Sequence, residues 1–131
     1  MFAGKRPTNL GVSEGRLSPC PNTPNCVCSQ GGDAEHSVAP LSYGSDPETA
    51  IATLKRVIQS FPKTQIITES SDYLYAEFTS ALMGFVDDVE FFLDRTANVI
   101  HIRSASRLGK SDLGVNRKRV EQIRTKLAEL Q

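Results

Sequence analysis

The sequence predicts an α+β fold: a four-stranded antiparallel meander with two helices packed on one face and a long irregular N-terminal wrap. Three observations predict it. A capped apolar stripe at helical spacing follows residue 45, four runs of two-residue alternation joined by short turns come next, and a second helical stripe closes the chain. Helices set apart from consecutive strands make a two-layer α+β sandwich. A chain of 131 residues suits one core, read as a wrap over 1–45 and a sandwich over 46–131.

The wrap is rich in Pro, Gly, Ser and Asn and has almost no apolar periodicity, so it reads as irregular chain. Stiff turns and small apolar residues in Cys20–Cys28 and His36–Leu41 suggest that it lies against the domain. The first helix starts at Asp46, a suitable N-cap, with Pro47 at its first position and Glu48 at the positive end of the dipole. Ile51, Leu54, Val57, Ile58 and Phe61 form its buried stripe, and Pro62 ends it. Strands are expected near 65–69, 72–79, 85–93 and 99–104. Leu74, Ala76, Phe78, Val89, Phe91, Leu93, Ile100 and Ile102 share one face; Tyr73, Tyr75, Glu77, Asp88, Glu90, His101 and Arg103 take the other. The last helix begins near 112–115, with Asp112 the expected N-cap, and lays Asn116, Val120, Ile123, Leu127 and Leu130 on one stripe.

Fifteen basic and fifteen acidic side chains balance, so no global field draws the chain to nucleic acid. The first seven residues lack the apolar centre of a secretory signal and no apolar run is long enough to span a bilayer. A soluble, cytoplasmic protein with no transmembrane segment is expected.

The most site-like stretch is Arg103–Arg119. Arg103, Ser104, Ser106, Arg107, Lys110, Ser111, Asn116 and Arg117 bring guanidinium forks, hydroxyls and an amide to one locus beside the permissive Gly109. Glu77, Asp87, Asp88, Glu90, His101 and Asp112 are candidates for a supporting polar network. Within it Asp88 and Glu90 are expected to pair with Arg103, Arg107 or Arg117, while Asp87 points the other way. The polar face has two readings, an ordinary solvated sheet surface or a groove roofed by the wrap.

Cys20, Cys26, Cys28 and His36 number four possible metal ligands, but Cys-x5-Cys-x-Cys is an irregular spacing for a closed tetrahedral site, and no metal or cofactor is expected. A Cys20–Cys26 disulfide is geometrically easy, against a reducing cytosol; free buried thiols are the plainer reading. Hydrolase ingredients are present in Cys20 or Cys26 as nucleophile, His36 or His101 as base and a nearby carboxylate, without a nucleophile elbow.

Cys20–Val27, His36 with Pro40–Leu41, Gly84–Phe91, Arg103–Arg107 and Ser111–Arg119 together resemble the domain of unknown function 1499 family, over nearly the whole chain. The form without a signal or membrane helix is similar to those of photosynthetic prokaryotes and plastids. The chain departs from the pattern at Cys28, where the resemblance implies a serine. No established activity follows from the resemblance. The expected function is therefore a binding or assembly module that recognises an acidic protein partner or ligand through its polar sheet face and basic loop. The alternative is a small hydrolase-like enzyme, or a binder of a small anionic ligand, at the same locus.

Overall fold

The computed structural model describes residues 3–80, 84–108 and 114–131. In chain order the elements are β1 (Val12–Ser13), β2 (Arg16–Leu17), β3 (Cys26–Cys28), β4 (Leu41–Ser42), α1 (Pro47–Ser60), β5 (Thr64–Glu69), β6 (Tyr73–Thr79), β7 (Val86–Asp94), β8 (Val99–Ser106) and α2 (Val115–Leu130).

Local chemistry sets the helix ends. The Asp46 carboxylate accepts the Thr49 amide at 2.8 Å, Pro47 opens α1, and Phe61 is extended before Pro62. The N-cap of α2 is Gly114, held at φ 80°, a left-handed conformation that favours glycine. The expected cap, Asp112, lies outside the described residues, as do Gly109, Lys110 and Ser111.

β5, β6, β7 and β8 form the expected antiparallel meander, but the sheet is larger than four strands. It has six, ordered β3-β8-β7-β6-β5, with β4 also pairing β8. Cys26 opposes Ala105 and Leu41 opposes Ile100, so β3 and β4 lie in line along the outer edge of β8. Neither is long enough to show a period in the sequence, and what makes them strands is the row of free amides and carbonyls on β8 that they cover. β1 and β2 form a separate two-stranded hairpin.

Cross-strand partners Leu74 with Phe91, Ala76 with Val89, and Leu93 with Ile100 carry the apolar face. Leu54, Val57 and Ile58 of α1, Val120, Ile123 and Leu127 of α2, and Val27 and Leu41 from the wrap complete the core. Leu130, expected on the α2 stripe, is 46% exposed at the helix end. No described helix is long and apolar enough to cross a membrane.

Candidate functional site

Alternation along β6, β7 and β8 sends Tyr73, Tyr75, Glu77, Asp88, Glu90 and Arg103 to the face away from the helices, and Arg107 follows in the same phase. This face is not left to solvent. Residues 3–19 cross it as a strap, and Asp88, Glu90 and Arg103 are buried beneath. The Gly11 amide donates to Glu90 Oε2 at 2.7 Å, Arg6 Nε donates to Glu77 Oε2 at 2.8 Å, and the Gly4 carbonyl accepts from Arg107 Nη1 at 3.5 Å. Gly4 has φ 75°, and a Cβ there would come within 3.1 Å of the Leu108 side chain, so only glycine lets the strap lie this close.

Under the strap, Arg107 and Asp88 form a forked pair, with Nε 2.9 Å from Oδ2 and Nη2 2.9 Å from Oδ1. Arg107 Nη2 also reaches Glu77 Oε2 at 2.5 Å. Tyr75 donates to Asp88 Oδ1 at 2.6 Å and accepts from Arg107 Nη2 at 3.3 Å. Burial, then the Asp88 contact, pushes the Tyr75 phenol well above its ordinary range, while the carboxylates beside Arg107 raise its already high pKa. Burial acts to raise Glu77, but hydrogen bonds from Arg6, Arg107 and Tyr75 together outweigh it and hold the carboxyl below its usual value.

The neighbouring pair is looser. Tyr73 donates to Glu90 Oε2 at 2.5 Å, and burial together with that carboxylate drives the phenol pKa far upward. Glu90 faces Arg103 directly across the β7–β8 ladder, yet Arg103 Nη1 stops 3.8 Å from Glu90 Oε1. Among the described residues, Glu90 Oε1 and Arg103 Nε are buried without a hydrogen-bond partner, and Arg103 donates only from Nη2 to the Pro19 carbonyl, at 3.3 Å.

The other candidate residues make their side-chain contacts elsewhere. Ser104 and Ser106 point to the helix face, where Ser104 donates to Asn116 Oδ1 at 2.6 Å and Asn116 Nδ2 donates to Ser106 Oγ at 2.8 Å and to the Asn25 carbonyl at 3.2 Å. Asp87, turned the same way, pairs with Arg119 at 2.9 Å. Arg117 fastens the wrap by donating to the Ser37 carbonyl at 2.8 Å and the Glu35 carbonyl at 2.9 Å, and Glu121, one turn along α2, pairs with Arg124. His101 lies 3.1 Å from Ser29 Oγ and 3.4 Å from Asp94, a carboxylate outside the expected network. Lys110, Ser111 and Asp112 are outside the described residues.

Cys20 and Cys26 are joined as a disulfide, in place of the free thiols of the plainer reading, and Cys28 is free and buried. Burial pushes the Cys28 thiol up, which disfavours the reactive thiolate. The Nδ1 of His36 lies 2.7 Å from Asp33 and its Nε2 2.9 Å from the Thr23 carbonyl, so both ring nitrogens meet acceptors. No group of three or more metal-ligating side chains is found among the described residues.

Strap and sheet face enclose a cleft of about 610 Å³. Arg103, Ser106, Arg107 and Asp88 line it from the sheet and its end, Lys5, Pro7 and Asn9 from the strap, and the Pro19–Cys20–Pro21 segment with Thr23, Asn25 and Cys26 forms one side. A smaller cavity of about 150 Å³, walled by the same proline segment and by Cys28 and His36, has no arginine or lysine. Sequence reasoning missed Lys5, Gly11 and Asn25, which sit in aperiodic chain. It placed Tyr73 and Tyr75 on the polar face, where their phase was the available signal.

A two-layer α+β domain whose polar sheet face is closed over by its own N-terminal strap is the class that fold and site define. Residues 16–127 match the family described as Protein of unknown function (DUF1499), and the chain belongs to that family. Residues 1–15, most of the strap, lie outside the match. No curated protein matches the chain.

Proposed function

We propose that this domain binds a small anionic ligand in the cleft between strap and sheet face. The observation that carries the reading is the cleft's lining, with Arg103, whose donors are largely unmet among the described residues, on one wall and Lys5 on the other. Lys5 is exposed and enters no ion pair among the described residues, so its charge is available to an incoming anion. A volume of about 610 Å³ falls in the range of small-molecule sites.

Recognition of an acidic protein partner has less support. Arg107 and Arg117, the cations expected to meet such a surface, are spent on Asp88, Glu77 and wrap carbonyls. The hydrolase alternative is weaker again, because Cys20 and Cys26 are bonded to each other and His36 is held by Asp33 and Thr23. The Cys20–Cys26 bond favours an oxidising compartment over the cytoplasm. Thiol trapping in native cells checks this, a reduced pair restoring the cytoplasmic reading.

The test of binding is a thermal-shift titration with inorganic phosphate, sulfate and acetate on the wild type and on Lys5→Ala. Stabilisation by at least one anion, reduced in Lys5→Ala and absent with chloride at equal ionic strength, is expected. Equal response to every salt in both proteins rejects the reading.

A further inference from the structure

Arg103 and Arg107, four residues apart on one face, line the same cleft and are satisfied to very different degrees. Arg107 spreads its donors over Asp88, Glu77, Tyr75 and the Gly4 carbonyl. Arg103, whose side chain is only 5% exposed, makes a single hydrogen bond among the described residues, to the Pro19 carbonyl at 3.3 Å. Among the described residues its Nε has no partner, and the nearest carboxylate oxygen lies 3.8 Å from its Nη1. A guanidinium carries five N–H donors in a planar fork, and leaving most of them unmet in a buried place is costly. Pro19 lies on the cleft wall, so its carbonyl holds one acceptor position of the kind that a ligand oxygen would take.

We infer that Arg103 is the anchor of the cleft and that the ligand it takes is an organic monocarboxylate with a compact body. This rests on the anion-binding reading above and names the anion. Shape argues for a carboxylate, since two coplanar oxygens match the guanidinium fork. Charge argues for a monoanion. Lys5, Asp88, Arg103 and Arg107 line the cleft, and with Arg6, Glu77 and Glu90, which are paired to them or to one another, the network holds four positive and three negative groups, which leaves one positive charge to neutralise. A phosphate dianion would overshoot that balance while facing Glu90 and Asp88. The rest of the wall mixes apolar surface, from Pro7, Pro19, Pro21, Ala105 and the Cys20–Cys26 bridge, with the polar Asn9, Thr23, Asn25 and Ser106, which suits a compact organic body over a bare inorganic anion. Lys5, a flexible point charge on the strap, supplies the second contact to the carboxylate.

The test uses benzoate and hexanoate as probes, with inorganic phosphate as the competitor chemistry, read by calorimetry and by the arginine Nε–H signals in NMR. Both monocarboxylates should bind at least about tenfold more tightly than phosphate. At saturation the Arg103 Nε–H signal should move while that of Arg107 stays. Arg103→Lys keeps the charge and loses the fork, and should weaken benzoate by about tenfold or more. Lys5→Ala, at an exposed position, should weaken it by a smaller factor. Should Arg103→Lys fail to fold, the wild-type Nε–H signals decide, and an unmoved Arg103 signal overturns the inference. Unchanged benzoate affinity in a folded Arg103→Lys protein overturns it too. Phosphate binding without carboxylate binding rejects the inference and retains an anion site; binding of neither probe class rejects both.

Discussion

Asp88 is buried under the strap and its compensation is concentrated in one neighbour, the Arg107 fork, with Tyr75 adding a third donor. Removing one member of such a pair leaves an uncompensated buried charge, so Arg107→Ala should cost about 3–5 kcal/mol in urea denaturation. Arg107→Lys, keeping the charge but not the fork, should cost about 1–3 kcal/mol. A loss below about 0.5 kcal/mol in both would show a solvated surface pair instead. His36 gives a different kind of prediction. The Thr23 carbonyl, followed by Asp33, raises its pKa above the ordinary 6.5, and the hydrogen bond to His36 holds Asp33 below 3.8. The raised His36 stabilises the fold fully below about 6.5, and this is lost as pH rises through its higher folded value; the lowered Asp33 contributes above about 3.9, and this is lost as pH falls through its lower folded value. The 21–36 loop should therefore be held best between these limits. An NMR titration of the His36 ring at or below 6.5 would remove the argument, and His36→Gln should flatten the pH dependence.

At the scale of elements, the Cys20–Cys26 bond closes a short loop that carries Pro19 against Arg103 and leads into β3. Its chain-entropy contribution for so small a loop is about 2 kcal/mol. The double substitution Cys20→Ser with Cys26→Ser should lower stability by about that amount while β5–β8 and both helices persist in far-UV circular dichroism. Unchanged stability would mean that the loop is held by its packing and the His36 contacts alone. α2 has a second task besides covering the sheet. Arg117 and Arg124 reach out to carbonyls of the wrap, Arg124 donating to Ala39 and Pro40 at 2.8 Å, so a helix face that looks solvated in the sequence clamps the segment leading to β4.

For the molecule as a whole, the strap is the part whose removal separates cover from scaffold. Most of it lies outside the family match, while the face it covers lies within. A chain lacking residues 1–15 should keep the six-stranded sheet, since the buried Leu17 is retained, the hydrogen bonds lost are on the polar face and the apolar core is on the other. Tyr73 and Tyr75, raised chiefly by burial, should then titrate closer to the ordinary value of 10 in ultraviolet absorbance. Phenols that remain as resistant to base as in the full chain would show that the carboxylates rather than the strap set their values.

Sequence alone determined the elements whose causes are local. The bounds of α1 follow from Asp46, Pro47 and Pro62, and the two faces of β6–β8 from alternation, which already placed Asp88, Glu90 and Arg103 on the polar side. Capping, proline sterics and pleat act within a few residues, so a single segment carries the signal. Tertiary structure alone decided the partners. Gly11 meets Glu90 across 79 residues and Gly4 meets Arg107 across 103, in a strap with no period to announce its path. It also made strands of β3 and β4, joined Cys20 to Cys26, and gathered Asp87, Ser104 and Asn116 around Arg119 in one cluster behind the sheet. Each outcome depends on which distant chain arrives to satisfy a buried donor, acceptor or charge, and that is fixed only when the whole fold closes.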